Sequence, residues 1–213
     1  MSDGARVPGS HRLIVELTAP PEGRVGAFNE WYDRQVMPRR RVLDGVASAR
    51  RYREAGNDTG WLAVYGVTGE GVLPEPPGTL PEREVEMRAA LARLETRQYA
   101  ELAIEQRYRR DLPETGYLLA VWWTPAADTL RDFHAWYDEE HIPLLLDVPG
   151  WLAIRRYELV AGTGPRFLAL HYLESPAVLA EPNHRRAVTT PWRARVALHR
   201  EQHERRMFEV WNQ

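Results

Sequence analysis

The segment WYDEEHIP, residues 136–143, brings together side chains that can move a proton. His141 follows Tyr137 by four residues and Asp138 by three, so on a helix these side chains lie along one face. Burial lowers the pKa of a histidine, whereas a neighbouring carboxylate raises that pKa and orients the ring, and together they make a general base for neutral pH. We therefore predict that His141 is a catalytic base oriented by Asp138, with Tyr137 stabilising a developing oxyanion.

A partly matching copy of this segment, WYDRQVMP, lies 105 residues earlier at residues 31–38. The same shift aligns further positions without a gap, among them Leu13 with Leu118, Pro20 with Pro125, Phe28 with Phe133, Gly45 with Gly150 and Tyr52 with Tyr157. A period near a hundred residues indicates two domain-sized repeats and not a solenoid. We predict the repeats to be residues 1–111 and residues 112–213.

The first copy carries Val36 where the second carries His141. Val36 lies on an apolar helical stripe with Phe28 and Tyr32, so this position should face the interior and His141 should be at least half buried. A core histidine with both nitrogens paired inside the protein is the alternative. Because the first copy has lost the histidine, we predict one site per chain, in the second copy.

The Trp-Tyr-Asp part of the frame occurs in both copies, with and without the histidine. We therefore interpret its tryptophans and tyrosines mainly as packing residues. Asp33 and Asp138 are interpreted as partners in a shared structural hydrogen bond.

Other candidates for contact with a ligand lie near this frame. His171, in the apolar strand FLALHYL, pairs with Tyr65 of the first copy after a one-residue slip and points either into a pocket or into the barrel seam. Trp122 and Trp123 are expected to line an apolar pocket. His134 shares the helix with His141 and lies toward its solvent side. The histidines in polar, arginine-rich surroundings are predicted to be solvated, namely His184, His199 and His203.

The arginine pair in the strand WLAIRRYEL is a further candidate. Alternation sends Arg155 and Arg156 to opposite faces, so one of them points inward and needs an anion there. Arg155 could stabilise the oxyanion of a substrate. Since a pair also occurs at Arg50 and Arg51, a structural ion pair is favoured.

The composition excludes several classes of chemistry. All 28 basic residues are arginine, and the chain has no cysteine, so lysine Schiff bases, thiolate nucleophiles and disulfides are excluded. A formal net charge of -2 gives no basic field for nucleic acid. No apolar stretch has the length of a membrane helix or signal peptide, so we expect no membrane partner and a cytoplasmic location. A metal site formed by Asp138, His141 and His171 is a weak alternative, and we predict no metal.

Each copy is predicted to contain the same elements. An apolar strand is followed by a helix that Pro38 or Pro143 should end or kink, two strands, a second helix and a last strand. The second helices are placed at roughly 82–98 and 189–204, and the last strands near 102–109 and 206–212. Residues 69–82 are predicted to be a loop, and the copies to meet near residues 111–116.

This order, βαββαβ, is the ferredoxin-like unit, whose bare sheet face needs a partner surface. With Trp136-Tyr137, His141-Ile142-Pro143 and Pro149-Gly150, the sequence resembles the dimeric α+β-barrel superfamily, and within it the EthD-like branch. The resemblance implies an α+β fold with two tandem units packed sheet to sheet as an intrachain barrel. It also implies a cofactor-independent enzyme that transfers protons on a small apolar, aromatic or polyketide-like molecule. Isomerisation, cyclisation, dehydration and decarboxylation remain open, and so does a homodimer of such chains.

Two alternatives come from other classes of protein. Some barrels of this superfamily bind haem through a histidine, so His141 or His171 could be an axial ligand. The chain could also be a non-catalytic protein that binds a small molecule or supports an assembly. In that case replacement of His141 would change stability and nothing else.

Overall fold

The computed structural model of the chain describes residues 12–68, 80–102, 112–113 and 116–211. The N-terminal segment, most of the predicted loop at 69–82, nearly all of the predicted strand at 102–109 and part of the predicted junction at 111–116 lie outside the described residues. Two compact units are present. The first comprises Met1–Glu101, Val160–Thr163 and Trp211–Gln213, and the second comprises Leu102–Leu159 and Gly164–Val210.

The first unit contains one four-stranded antiparallel sheet with helices in the connections. Its elements are β1 Arg12–Ala19, α1 Val25–Trp31, a π-helical turn Tyr32–Val36, α2 Met37–Arg41, β2 Val46–Glu54, β3 Trp61–Val67, α3 Glu82–Ala89 and β4 Arg93–Glu101. The strand order is β4-β1-β3-β2. This order and the βαββαβ sequence of elements define a ferredoxin-like unit.

The second unit repeats this arrangement. Its main elements are β5 Tyr117–Pro125, α4 Leu130–Ala135, a π-helical turn Trp136–His141, α5 Ile142–Leu146, β6 Trp151–Ala161, β7 Phe167–Leu173, α6 Pro182–Ala187, α7 Pro191–Leu198 and β8 Arg200–Val210. Short 3-10 turns precede α4 and α6. The strand order is β8-β5-β7-β6. The predicted α+β class with two ferredoxin-like units is confirmed.

The registers of the two sheets show which residues are equivalent. Ile14 of β1 lies opposite Tyr65 of β3, and Leu119 of β5 lies opposite His171 of β7. Tyr65 and His171 therefore occupy the same place, as the one-residue slip in the sequence offset predicted. In each unit the core packs between the helices and the sheet face that carries these residues.

The first helix of each unit does not end at its proline. Pro38 and Pro143 lie at the second position of α2 and α5, directly after the π-helical turn. A proline has no N–H to donate, and the change of hydrogen-bonding pattern in the turn just before it lets the helical run continue. The predicted break is therefore a π-helical turn, which ends at His141 in the second unit.

The second helices are shorter than predicted. The residue types at 93–98 favour a helix because Leu, Glu, Arg and Gln are good helix formers, but these residues belong to β4, which pairs with β1. In this strand Arg97 and Tyr99 are buried, which is the alternation expected of a strand. Pairing with β1 therefore outweighs the helix propensity of these residues. In the second unit the helix divides into α6 and α7, and β8 begins at Arg200, six residues before the predicted start. Within the described part of the chain, no helix is long and apolar enough to cross a membrane.

Candidate functional site

His141 is the last residue of the π-helical turn in the second unit and is 8% exposed. Its ring stacks on Trp136, with 4.3 Å between ring centroids, and meets Tyr137 edge-on at 5.3 Å. A hydrogen bond also ties the π-helical turn to α7, because the Thr190 hydroxyl donates to Glu140 at 2.6 Å and caps the N-terminus of α7. These contacts hold the imidazole in one orientation, and the predicted burial of His141 is confirmed.

The two nitrogens of His141 differ in their surroundings. The ring makes a hydrogen bond with the backbone of Ala187 that favours the protonated imidazole, so the carbonyl accepts it. Nδ1 has no hydrogen-bond partner among the described residues, so the donor to Ala187 is Nε2. Burial, followed by the neighbouring His171, holds the pKa of His141 well below its usual value. The ring is therefore neutral at pH 7, with an available lone pair on Nδ1.

A cavity of about 190 Å³ lies beside His141, between the helices and the sheet of the second unit. Aromatic rings and histidines dominate its wall, which is formed by Leu119, Val121, Trp123, Trp136, Tyr137, His141, Leu145, Trp151, His171, His184, Val188, Arg193, His203 and Arg205. An apolar cavity of roughly 150 Å³ is enough to bind benzene. The cavity therefore has room for a ligand of one or two rings.

His171 lies on the sheet side of this cavity. Its side chain is 2% exposed, meets Trp151 edge-on at 5.3 Å, and leaves Nδ1 without a hydrogen-bond partner among the described residues. Burial, then the charges of Arg205 and Arg156, lower its pKa to about 3. Of the two orientations that the sequence left open for His171, the structure has the one toward the pocket.

Two histidines that the sequence analysis placed in solvent also line the cavity. His184 is half-buried, stacks on Trp151 at 5.6 Å and has Nδ1 at 2.7 Å from the carbonyl oxygen of Leu179. His203 is exposed at the cavity edge, where it meets Trp123 edge-on at 5.3 Å. The prediction of solvation is wrong for His184, which α6 turns toward the core, and is confirmed for His203, which is exposed although it also contacts the cavity wall. His199 is likewise exposed as predicted.

Asp138 does not take the place that the sequence analysis gave it. Its Oδ1 accepts a hydrogen bond from Arg156 at 2.7 Å, and Asp33 pairs with Arg51 at the same distance in the first unit. In both units the guanidinium also lies over the frame tyrosine, at 4.0 Å from the Tyr137 ring in the second. The expected structural role of the aspartate pair is thus confirmed, while His141 is oriented by Trp136 and a backbone carbonyl.

Three other candidates lie outside the cavity wall. His134 accepts a hydrogen bond on Nδ1 from Arg156 at 3.0 Å, and burial together with that cation lowers its pKa to about 4. Trp122 is buried on the sheet face opposite Trp123, as strand alternation requires. The same alternation turns Arg155 away from the helix layer that Arg156 contacts. None of the three is placed to touch a ligand in this cavity.

The place of the cavity is occupied by buried charges in the first unit. Val121, Leu145 and His171 correspond there to Glu16, Arg40 and Tyr65, which bind one another and Tyr32. Arg88 adds a further contact to Glu16 at 3.1 Å. Burial opposes ionisation of Glu16, but Arg40 and Arg88 prevail and lower its pKa to about 2. These residues fill the first unit where the second unit leaves space, which supports one site per chain.

The cavity wall shows no arrangement suited to a metal. Among the described residues, no group of three histidine, aspartate or glutamate side chains is placed to hold a metal ion. Asp138, one member of the alternative iron site, is paired with Arg156.

The buried histidines should make folding sensitive to mild acid. The unfolded chain takes up a proton on residue 171 near pH 6.5, whereas the folded chain does so only near pH 3. The free energy of unfolding should therefore fall as the pH drops below about 6.5, by up to about 1.4 kcal/mol per pH unit for this histidine. Urea unfolding between about pH 7 and pH 5 measures this slope. His171→Gln should reduce the slope by the share of this histidine, because His134 and His141, whose pKa values are also lowered, remain. An equal slope in that variant would contradict the assignment.

No protein-family model matches the chain, and no curated protein matches it. Solved structures do match. An anthrone oxidase-like protein is 10% identical, with a TM-score of 0.67 over 95% of this chain and 92% of the other. A monooxygenase-like protein from Listeria innocua is 12% identical, with a TM-score of 0.56 over 96% of each chain. A haem-binding protein from Thermus thermophilus is 12% identical, with a TM-score of 0.59 over 96% of this chain and 92% of the other.

These similarities establish the fold. The chain shares its architecture with monooxygenase-like, oxidase-like and haem-binding proteins, which differ in what they do. Function has to be argued from the cavity of the second unit.

Proposed function

We propose that the chain is a cofactor-independent enzyme that transfers a proton on a small aromatic or polyketide-like molecule bound in the cavity of the second unit. One observation carries this proposal. His141 and His171 are both buried, both neutral and both without a partner for Nδ1 among the described residues, and they line the same aromatic cavity. A core histidine has its nitrogens paired inside the protein, whereas a catalytic one keeps a lone pair for the substrate.

The proposed step is removal of a proton from a carbon next to a carbonyl, or from a phenol. The proton goes to Nδ1 of His141, and the electron pair that it leaves moves onto the substrate oxygen as an enolate or phenolate. Return of the proton from His141 to a different carbon completes an isomerisation. In a cyclisation the enolate carbon attacks a second carbonyl group of the same molecule, whose oxygen takes up the proton. In a dehydration the proton leaves with a hydroxide group as water. Because the pKa of His141 is low, the protonated imidazolium is unfavourable in this cavity. The step therefore depends on the negative charge that forms on the substrate beside the ring.

Tyr137 is the proposed donor to this developing oxyanion. Its equivalent in the first unit, Tyr32, donates to Glu16 and lies 2.7 Å from the Tyr65 hydroxyl. In the second unit Glu16 is replaced by Val121 and Tyr65 by His171, and the Tyr137 hydroxyl makes no hydrogen bond to a described residue. A ligand oxygen in the cavity would take the position that the carboxylate of Glu16 holds in the first unit.

Deuterium exchange into a simple ketone tests the proposal, whatever the natural substrate is. β-Tetralone is a neutral ketone of two rings whose carbon acids exchange in deuterium oxide, and proton NMR follows the loss of signal. The protein should accelerate this exchange in a saturable manner. If β-tetralone binds and exchanges at the rate measured in buffer, the chain is a binding protein, and the catalytic proposal is wrong.

Haem binding is the alternative function, and the haem-binding neighbour makes it worth an explicit test. His141 has a free Nδ1 that could serve as an axial ligand. However, the cavity of about 190 Å³ is smaller than the roughly 300–1,000 Å³ of typical cofactor and drug-sized ligand sites, which favours a ligand of one or two rings over a macrocycle.

We expect the purified protein to show no Soret band, and added haemin to produce no band that depends on residue 141. Visible absorption spectra of the wild-type protein and His141→Gln measure this. A Soret band in the wild-type protein that shifts in His141→Gln would establish the haem alternative instead.

We also propose that the chain belongs to the EthD-like branch and arose by tandem duplication. The frame Trp136-Tyr137 with His141 and Pro143 supports the EthD-like branch, and the equivalent ion pairs of Asp33 and Asp138 support a tandem duplication with repeats at residues 1–111 and 112–213. The buried charges that fill the first unit support the proposal that this copy is degenerate.

A further inference from the structure

We propose that the cavity of the second unit selects an aromatic anion of one or two rings, and that Arg193 and Arg205 bind its carboxylate. This inference rests on the proposed function, because it concerns the ligand of the same cavity. It goes further by assigning the charge of the ligand and the residues that recognise it.

Arg193 is a cation inside the wall of this cavity. It is half-buried on α7, two residues after the proline that begins the helix. Its guanidinium has no ion pair or hydrogen bond with a described residue, although its charge acts on Tyr137, His141, His184 and His203. The next arginine on the helix, Arg195, shows the ordinary arrangement, since it binds Asp132 at 2.9 Å.

Arg205 extends from β8 at the exposed rim of the cavity. It too has no ion pair with a described residue. Arg193 and Arg205 both line this cavity. Partial burial, followed by the charge of Arg193, lowers the pKa of Arg205. Two cations in the wall of one cavity that has no carboxylate in its lining favour an anionic ligand, and the planar guanidinium matches a carboxylate geometrically.

The rest of the wall supplies nothing that would neutralise these arginines. No aspartate or glutamate is among the lining residues, and His141 and His171 are neutral. The same wall carries the indole rings of Trp123, Trp136 and Trp151, which suit a flat apolar body. The arrangement therefore matches a molecule with an aromatic body and one anionic group at the rim.

Binding of two matched probes tests this inference. Naphthoate and naphthamide have the same shape and differ in charge, and quenching of tryptophan fluorescence reports both, since three tryptophans line the cavity. The wild-type protein should bind naphthoate about 10- to 100-fold more tightly, as expected for hydrogen bonds to a charged group. Arg193→Gln and Arg205→Gln should each remove most of that preference and leave the affinity for naphthamide unchanged. Arg195→Gln, on the same helix, should keep the preference intact.

Salt gives a second readout, because added chloride should weaken naphthoate binding and leave naphthamide binding unaffected. Equal affinities for the two probes, or a preference that survives both arginine substitutions, would overturn the inference. In that case, exchange of the neutral β-tetralone through His141 can still stand. Conversely, selective binding of naphthoate without any catalysed exchange would sustain the inference and contradict the proposed catalytic step. Binding of neither probe would also overturn the inference, while the catalytic step is decided separately by the exchange of β-tetralone.

Discussion

Replacement of His141 by glutamine should reduce the protein-catalysed exchange of β-tetralone by about 10²- to 10⁴-fold, the usual contribution of a positioned general base. Glutamine keeps a hydrogen-bonding side chain of similar reach but cannot accept a proton. The rest of the wall stays in place, because Trp136 and Tyr137 are held by the aromatic cluster around Phe133. NMR at saturating ketone measures the rate, so weaker binding does not enter the comparison.

His199→Gln is the matched control for this substitution. His199 is an exposed histidine of the same unit, at the C-terminal end of α7 and outside the cavity wall. Its replacement should leave the exchange rate within about a factor of two of the wild-type value. If both variants retain full activity, His141 is not the base.

Replacement of Glu16 by valine should destabilise the protein by about 3–5 kcal/mol. Valine is the residue that the second unit carries at this place, as Val121. In the first unit, however, it removes the carboxylate nearest to the guanidinium of Arg40, which is 1% exposed, and leaves the longer pair with Glu84 at 3.9 Å. Removal of one partner of a buried ion pair leaves an uncompensated charge, which is the costly case. Urea unfolding monitored by tryptophan fluorescence measures the loss.

A second substitution separates charge from shape in this cluster. The double variant Glu16→Val, Arg40→Leu has the residues that the second unit carries at these two positions, Val121 and Leu145. It should recover at least half of the stability that Glu16→Val loses. Glu30→Gln, which breaks an exposed pair with Arg34, should cost less than about 1 kcal/mol. Equal losses in the single and double variants would show that packing, and not the unpaired charge, causes the effect.

Acid titration gives an independent test of the same ion pair. The pKa of Glu16 is lowered to about 2 from 4.5, so its contribution to stability is present above about pH 4.5 and is lost as the pH falls toward 2. Glu16→Val should therefore show a shallower loss of stability than the wild-type protein in this window. A wild-type curve that is flat below pH 4.5 would contradict the ion pairing.

The fold was largely predictable because two local signals agree with the tertiary structure. Alternation and apolar runs place the strands, and the 105-residue offset predicts two units with the same order of elements. The prediction failed at β4, where helix-favouring residues form a strand. That outcome depends on pairing with β1, some eighty residues away along the chain, which no local pattern contains.

The candidate site was predictable only where its residues share a helix or strand. His141 and Tyr137 are neighbours on one helical face, and Trp123 and His171 lie on strands with clear alternation. By contrast, His184, Arg193, His203 and Arg205 reach the cavity from α6, α7 and β8, and their sequence surroundings are polar. The three-residue spacing of Asp138 and His141 favours a contact between them, but the buried Arg156 competes for the carboxylate and binds it.

A signal for the site was nevertheless present in the repeat. The two units differ in charge at Glu16 and Val121 and at Arg40 and Leu145, where the second unit lacks the ion pair that fills the first. The same comparison shows that His141 occupies the position equivalent to Val36 of the first copy. Positions at which the two units diverge in polarity thus mark the part of the core where the second unit contains a cavity.

The most direct test of the central claim is a crystal structure of the protein in complex with β-tetralone. We predict that the rings lie in the cavity of the second unit against Trp136, with the reacting carbon next to Nδ1 of His141 and the carbonyl oxygen about 3 Å from the Tyr137 hydroxyl. A ligand bound elsewhere, or a His141 whose two nitrogens are both paired with protein atoms beside a closed cavity, would contradict the account.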